Sequence, residues 1–402
     1  MAAPSSLQEQ VLIEERSFSR ILTLNRPKQL NALSFAMLSR LSECFFAYEE
    51  DPKVKIIILK GKGRAFCAGG DVAAVLRDVK EGDWKSGAKY FSKEFSLNYL
   101  MATYKKPQVS ILNGIVMGGG SGLATHGRFR VATENSVFAM PETALGLFPD
   151  IGASYFLSRL PGFFGEYVGL TGARLDGAEM LACGLATHYV PSTRLVTLEN
   201  ALCNVGSDDP SIVSSIIDKY SEQPYLKEQS SYNRLDVINK CFSQRTIEEI
   251  ISALYSLPDV LCWYIIHNLT NAAMREREVT DRKDRWITST IETLKKASPT
   301  SLKISIRSIR EGRLQGVGQC LIREYRMACH VLRGELCKDF FEGCRAILID
   351  KDRNPKWEPS KVELVNESQV DQYFSKVNDK EWEDLKLPAR STSMPAYAFA
   401  KL

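Results

Sequence analysis

Between Val11 and Val190, short apolar runs and helical stretches take turns, and this alternation restricts the fold more than any other feature of the chain. Val11 to Glu15 and Ser19 to Leu24 read as a strand pair. Lys55 to Leu59 (KIIIL), Val109 to Leu112, Phe129 to Ala132 and Val137 to Met140 are further strands, apolar and largely β-branched. Between them, Ser34 suits an N-cap, followed by Phe35, Leu38, Leu41 and Phe45 at helical spacing, which predicts a helix to about Glu50. Phe91 to Tyr104 has the same period, and another helix is expected from Gly118. Strands separated by helices predict a layered α/β domain over residues 1–190. Residues 191–402 are different: Leu198 to Met327 is rich in helix formers. This part is expected to be mainly helical, with one short strand at Ala346 to Ile349 and a charged tail.

One segment fits poorly. Tyr255 to Arg275 interrupts a helical pattern, and Pro258 should break a helix there. Its apolar run, Val260 to Ile266, is too short to cross a bilayer. Nor does any other run predict a membrane span.

Composition removes several function classes. Apolar residues are 44% and charged residues 25% of the chain, enough to bury a sizeable core. The net charge of +4, with both signs interspersed, is too mild for a nucleic-acid binder. The ten cysteines show no C-x-x-C spacing and the four histidines are scattered, so no metal site is expected. The thiols are expected to be reduced and mostly buried. The N-terminus lacks a basic start and carries Glu9, Glu14 and Glu15, unlike a signal or transit peptide. The chain ends Ala400-Lys401-Leu402, one substitution from the Ser-Lys-Leu peroxisomal address, after a Pro-, Ser- and Thr-containing run.

Two glycine-containing loops each follow a strand: Arg64 to Asp71 (RAFCAGGD) and Asn113 to Gly122 (NGIVMGGGSG). Glycine lets a backbone N–H approach a ligand closely, and one N–H from each loop could polarise a single carbonyl. The plainer reading, turns and tight helix packing, would suffice for one such loop alone. Neither is a P-loop or a dinucleotide fingerprint. After the strand at Val137 comes Met140 to Gly152 (MPETALGLFPDIG). Gly146 and Pro149 separate Glu142 from Asp150 and allow both acids into one cleft. Met140, Leu145, Leu147 and Phe148 would desolvate them, as a reactive carboxyl requires. In isolation, a capping Glu and a turn Asp are the better explanation of these residues. Glu94, on the Phe91 helix, reads as a solvated surface acid.

With these pieces in order, the chain resembles the crotonase superfamily: RPKQLNAL (26–33), AFCAGGD, NGIVMGGG, MPETALGLFPDIG, SYFLSRLPG (154–162), LTGARLDG (170–177) and GLATHYV (184–190). Within it, SLKISIRSIREG (301–312), LIREYRM (321–327) and DFFEGCRAILIDKDRNPKW (339–357) resemble the 3-hydroxyisobutyryl-CoA hydrolases, the plant members especially. The resemblance implies a spiral of β-β-α units followed by a mainly helical C-terminal region. It implies Gly70 and Gly119 as oxyanion donors, Glu142 as the main catalytic carboxylate and Asp150 as its partner and a contact to the substrate hydroxyl. Glu94 matches a substrate-binding acid, and Lys28, Ala32 and Ala68 match CoA contacts. The implied substrate is an acyl-CoA, with CoA a part of it and no cofactor required.

The sequence departs from the enoyl-CoA hydratases, which carry a second Glu where this chain has Gly122. The segment 255–275 has no counterpart in the pattern of the hydrolases. The resemblance implies hydrolysis of 3-hydroxyisobutyryl-CoA in valine breakdown. A hydratase, an enoyl isomerase or a non-catalytic binding relative are the competing readings. It also implies homo-oligomers through C-terminal helices, which an extended C-terminal part would obstruct. The tail implies an import receptor and the peroxisome, with mitochondrion and cytosol as alternatives.

Overall fold

The computed structural model describes residues 10–81, 83–257 and 282–390. Most of the 255–275 segment and the Ala400-Lys401-Leu402 tail lie outside the described residues. The expected strand pair is an antiparallel hairpin of β1 (Val11–Arg16) and β2 (Ser19–Leu24). Ser34 caps α1 (Phe35–Glu50), its side chain accepting from the Met37 N–H. Then follow β3 (Ile56–Gly61) and β4 (Ala65–Cys67), α2 (Val72–Glu81) and α3 (Trp84–Ala102). A second unit runs β5 (Gln108–Leu112), β6 (Ile115–Met117) and α4 (Gly119–Thr125). A third runs β7 (Phe129–Ala132) and β8 (Val137–Ala139), then a 3-10 turn, Glu142–Leu145, and α5 (Ala153–Leu157). α6 (Phe164–Thr171), β9 (Leu175–Asp176), α7 (Gly177–Ala182) and β10 (His188–Tyr189) close this part.

Each unit sends its first strand to one sheet and its second to another. One sheet has the order β1-β2-β3-β5-β7-β10 and the other β4-β6-β8-β9. Within the first, every neighbour beyond the hairpin is parallel. Parallel strands buried on both faces need continuous apolar runs, which accounts for KIIIL. Ile57 and Leu59 enter the main core, while Ile56 and Ile58 face a second cluster with Leu198, Leu202, Val213 and Ile217. Those four come from α8 (Leu195–Cys203) and α9 (Pro210–Asp218).

The C-terminal part is helical as expected: α10 (Leu235–Phe242), α11 (Ile247–Tyr255), α12 (Arg282–Lys296), α13 (Pro299–Gly312), α14 (Val317–Arg333), α15 (Asp339–Cys344) and α16 (Glu367–Phe374). The main core runs continuously from Val11 to Leu385, so α13 and α14 bury their apolar faces against α3, α5 and α6. One expectation is corrected. Ala346 to Ile349 is not a strand but belongs to a π-helical turn, Arg345–Ile349, continuing α15. Among the described residues the apolar run AILI has no strand neighbour to pair with, and helical hydrogen bonds satisfy its backbone instead.

The loop between β2 and α1 turns through Leu30 and Asn31, at φ 52° and 57°. The fully buried Asn31 holds it. Its Nδ2 donates to the carbonyls of Lys62 (3.0 Å) and Ala65 (2.8 Å), and its Oδ1 accepts from the Arg26 N–H (2.8 Å). Asn tolerates the left-handed region better than most residues. Asn31→Ala leaves the buried Ala65 carbonyl and the Lys62 carbonyl without this donor and strains the backbone. It should cost about 2–4 kcal/mol, read as a lower urea midpoint at unchanged slope; an unchanged midpoint would contradict this role.

Candidate active site

The two glycine loops meet because β4 and β6 are neighbours in the second sheet. Leu33 bridges to the first loop: its N–H donates to the Gly69 carbonyl (2.8 Å), and its carbonyl accepts from the Asp71 N–H (2.9 Å). Alternation along an extended chain then turns the Gly70 N–H the other way, towards the second loop. Tyr90 Oη donates to the same Leu33 carbonyl (2.9 Å) and lies against Gly70. In the second loop a Cβ on Gly119 would stand 3.0 Å from the Gly70 amide nitrogen and would overlap the Glu94 carboxyl group. Only glycine leaves that space open. Gly119 opens α4, where its N–H has no preceding helical turn to donate to.

A cavity of about 290 Å³ opens at this junction. Gly70, Gly119, Glu94, Glu142, Asp150, Ala32 and Ala68 all line it. Of the expected site residues that the structure describes, only Lys28 is missing from the wall. Lys28 is exposed on a 3-10 turn, Pro27–Gln29, whose Gln29 does line the cavity. The rest of the wall is mainly apolar, including Val72, Phe91, Leu145, Leu147 and Leu348. The sequence reading assigned no role to Tyr90, which stands one helical turn before Glu94 on the same face. It also missed Leu348, on a segment read as a distant strand. A larger cleft of about 1070 Å³ beside Trp286 holds none of the candidate acids.

Glu94, Glu142 and Asp150 are 2%, 3% and 4% exposed. The reading of Glu94 as a solvated acid is therefore corrected: α3 is covered by α2 and α14, and its Glu94 face turns inward. Among the described residues, no Lys, Arg or His lines the cavity. Glu94 Oε1 and Glu142 Oε2 are buried without a hydrogen-bond partner, which suits groups awaiting a ligand. Burial pushes the Glu94 carboxyl up to about 8. Burial, and secondarily the Glu94 charge, pushes Glu142 up to about 8 as well. Asp150 is raised well above its usual range by burial and by the nearby Glu94, Glu142 and Glu324. Three acids competing to stay protonated can hold or pass a proton at neutral pH.

Gly122 differs in kind. A Cβ there would stand 2.7 Å from Asn98 Oδ1 and 2.9 Å from its Nδ2. The buried Asn98 side chain thus occupies the space that an acid at position 122 would need.

The enoyl-CoA hydratase/isomerase family profile matches residues 19–374. The chain is 67% identical over 402 residues to 3-hydroxyisobutyryl-CoA hydrolase 1 of Arabidopsis thaliana, covering 100% of each. It is 39% identical to the small ribosomal subunit protein mS47 of the same plant, covering 96% of this chain and 90% of that one. Among solved structures, a carnitinyl-CoA dehydratase from Mycobacterium thermoresistibile superimposes with a TM-score of 0.78 at 32% identity, over 92% of this chain and 97% of that one.

A raised carboxyl pKa has a stability consequence. The unfolded chain ionises Glu94 near its usual 4.5, while the folded protein resists until about 8. Folding stability is therefore lost as pH rises between those values and changes no further above them. Glu94→Gln removes this penalty. Its melting temperature should exceed that of the unsubstituted protein by about 2–5 °C at pH 8, with no difference near pH 4. Equal melting temperatures at both pH values would count against the buried-acid account.

Proposed function

We propose that this chain, which belongs to the enoyl-CoA hydratase/isomerase family, hydrolyses 3-hydroxyisobutyryl-CoA to 3-hydroxyisobutyrate and CoA. The observation that carries the reading is the convergence of the Gly70 and Gly119 amides on a cavity walled by three buried acids. Family membership alone would not suffice, since the family's reach extends to a ribosomal subunit protein.

The thioester oxygen sits between the two amides, which stabilise the negative charge it gains when attacked; a single such donor is commonly worth about 10²–10³ in turnover. The Glu142 carboxylate attacks the carbonyl carbon. The C–S bond breaks, CoA leaves as thiolate and takes up a proton, and a mixed anhydride remains. Water opens the anhydride and restores Glu142. In the alternative route Glu142 takes a proton from water, and that water attacks directly. Asp150 hydrogen-bonds the 3-hydroxyl and assists proton transfer, and Glu94 holds the same end of the substrate. Ala32 and Ala68 flank the CoA arm, with Lys28 outside the cavity near its phosphates. The alternative reading as a hydratase needs a carboxylate at position 122 opposite Glu142, and the space there is taken by Asn98. The Ala400-Lys401-Leu402 tail supports a peroxisomal address read by an import receptor.

Thiol release from 3-hydroxyisobutyryl-CoA should be fast, and release from acetyl-CoA and crotonyl-CoA slow. Glu142→Gln should lower it by about 10²–10⁴-fold with the fold intact; full turnover in that variant would refute the role. After repeated turnover in H₂¹⁸O, label in the Glu142 side chain supports the anhydride, and its absence leaves the general-base route. Because Glu142 must be ionised to act, and burial holds it near 8 in the empty site, kcat/KM should climb with pH up to about 8 and then level. A flat profile between pH 6 and 8 would mean that Glu142 is already ionised at pH 6, against the raised pKa.

A further inference from the structure

The Asp150 turn is not held by its own segment. Ile151, a β-branched residue, stands at φ 58°, in the left-handed region that such side chains rarely enter. A conformation of this kind persists only where its surroundings impose it. Two groups from elsewhere in the chain do so. His126, directly after α4, contacts the Ile151 carbonyl through Nε2 at 2.7 Å. Burial drives this imidazole down to about 4, so it is neutral at physiological pH. Glu324, on α14, accepts from the Gly152 N–H (2.6 Å), the Ser154 N–H (2.9 Å) and the Ser154 hydroxyl.

Glu324 is fully buried, and a buried carboxylate is costly unless donors satisfy it. Here three donors converge on it, all from the two residues Gly152 and Ser154. The His126 ring also packs closely on Gly152, where a Cβ would stand 2.7 Å from it. The Asp150 carbonyl in turn accepts from the Ala153 N–H (2.9 Å), so the turn from Asp150 to Ser154 is one hydrogen-bonded unit. α14 also packs along α3, which carries Glu94. The helix thus contacts the elements that carry Glu94 and Asp150 while lining none of the cavity.

We propose that Glu324 is a positioning residue for the reaction: through the amides of Gly152 and Ser154 it fixes the direction in which Asp150 enters the cavity, and so the preference for a substrate with a 3-hydroxyl. The proposal rests on the reading of Asp150 as the hydroxyl contact given above. It also gives the LIREYRM segment a task at the site, although it lies about 170 residues further along the chain than the turn it holds. A misplacement of about 1 Å at a reacting group can cost on the order of 10² in rate, so the effect is measurable even though Glu324 touches no substrate.

The test compares kcat/KM for 3-hydroxyisobutyryl-CoA and for isobutyryl-CoA, which lacks only the hydroxyl. The variants are Asp150→Asn, Glu324→Gln, the two together, and Ser154→Ala, a milder change that removes one donor. Glu324→Gln should reduce the preference for the hydroxylated substrate by about tenfold or more, and Ser154→Ala by less. In the Asp150→Asn background, Glu324→Gln should change the preference little further, since both act on one contact. Equal losses on the two substrates would reduce Glu324 to a structural role and overturn the proposal, as would an effect that multiplies fully with Asp150→Asn. If Glu324→Gln does not fold, an unchanged preference in Ser154→Ala overturns it. If Asp150→Asn itself leaves the preference intact, the reading of Asp150 fails and the proposal with it. An intact preference in Glu324→Gln beside a lost one in Asp150→Asn sinks the proposal alone.

Discussion

Three carboxyl groups share one small, mainly apolar cavity, and among the described residues no cation lines it. Left to themselves, buried acids favour neutrality, and each raises its neighbours further. The arrangement opposes folding at neutral pH and must be imposed by the rest of the molecule. That explains why each acid is set by a different element: Glu94 by a long helix packed on two sides, Glu142 by a 3-10 turn after a central strand, and Asp150 by a turn tied to two remote side chains. Such local conflicts with stability are typical of functional sites.

The repeated β-β-α unit is what brings the glycine loops together. Successive units place their second strands side by side, so equivalent loops arrive at adjacent positions although about fifty residues separate them. A carbonyl bound between two such loops is gripped by backbone groups, whose positions depend on sheet register and not on side-chain rotamers. The helical second half then completes the site from outside. It covers α3, contributes Leu348 to the cavity wall and supplies Glu324 to the Asp150 turn.

Sequence reading went furthest where the physics is local. The Ser34 cap, the hairpin from Val11 to Leu24 and the KIIIL strand need only neighbouring residues to be understood, and each is present as expected. It failed where tertiary contacts override local pattern. AILI carries a strand-like composition but has no edge to join, and Glu94, flanked by Lys93 and Phe95, gives no local sign of being buried. The two three-residue strands β4 and β6 are indistinguishable from loop in the sequence, because so short a run carries no periodicity.

The order of motifs along the chain therefore determined the fold class, the identity of the glycine loops and the acids they face. Each of these follows from residue type and short-range spacing, or from a family pattern written in them. Only the tertiary structure decided that those groups share one cavity, that Asn98 fills the space beside Gly122, and that a carboxylate from α14 steadies the Asp150 turn. These are contacts between residues far apart in the chain. They depend on sheet register and helix packing, which are properties of the whole core and leave no mark on any one segment.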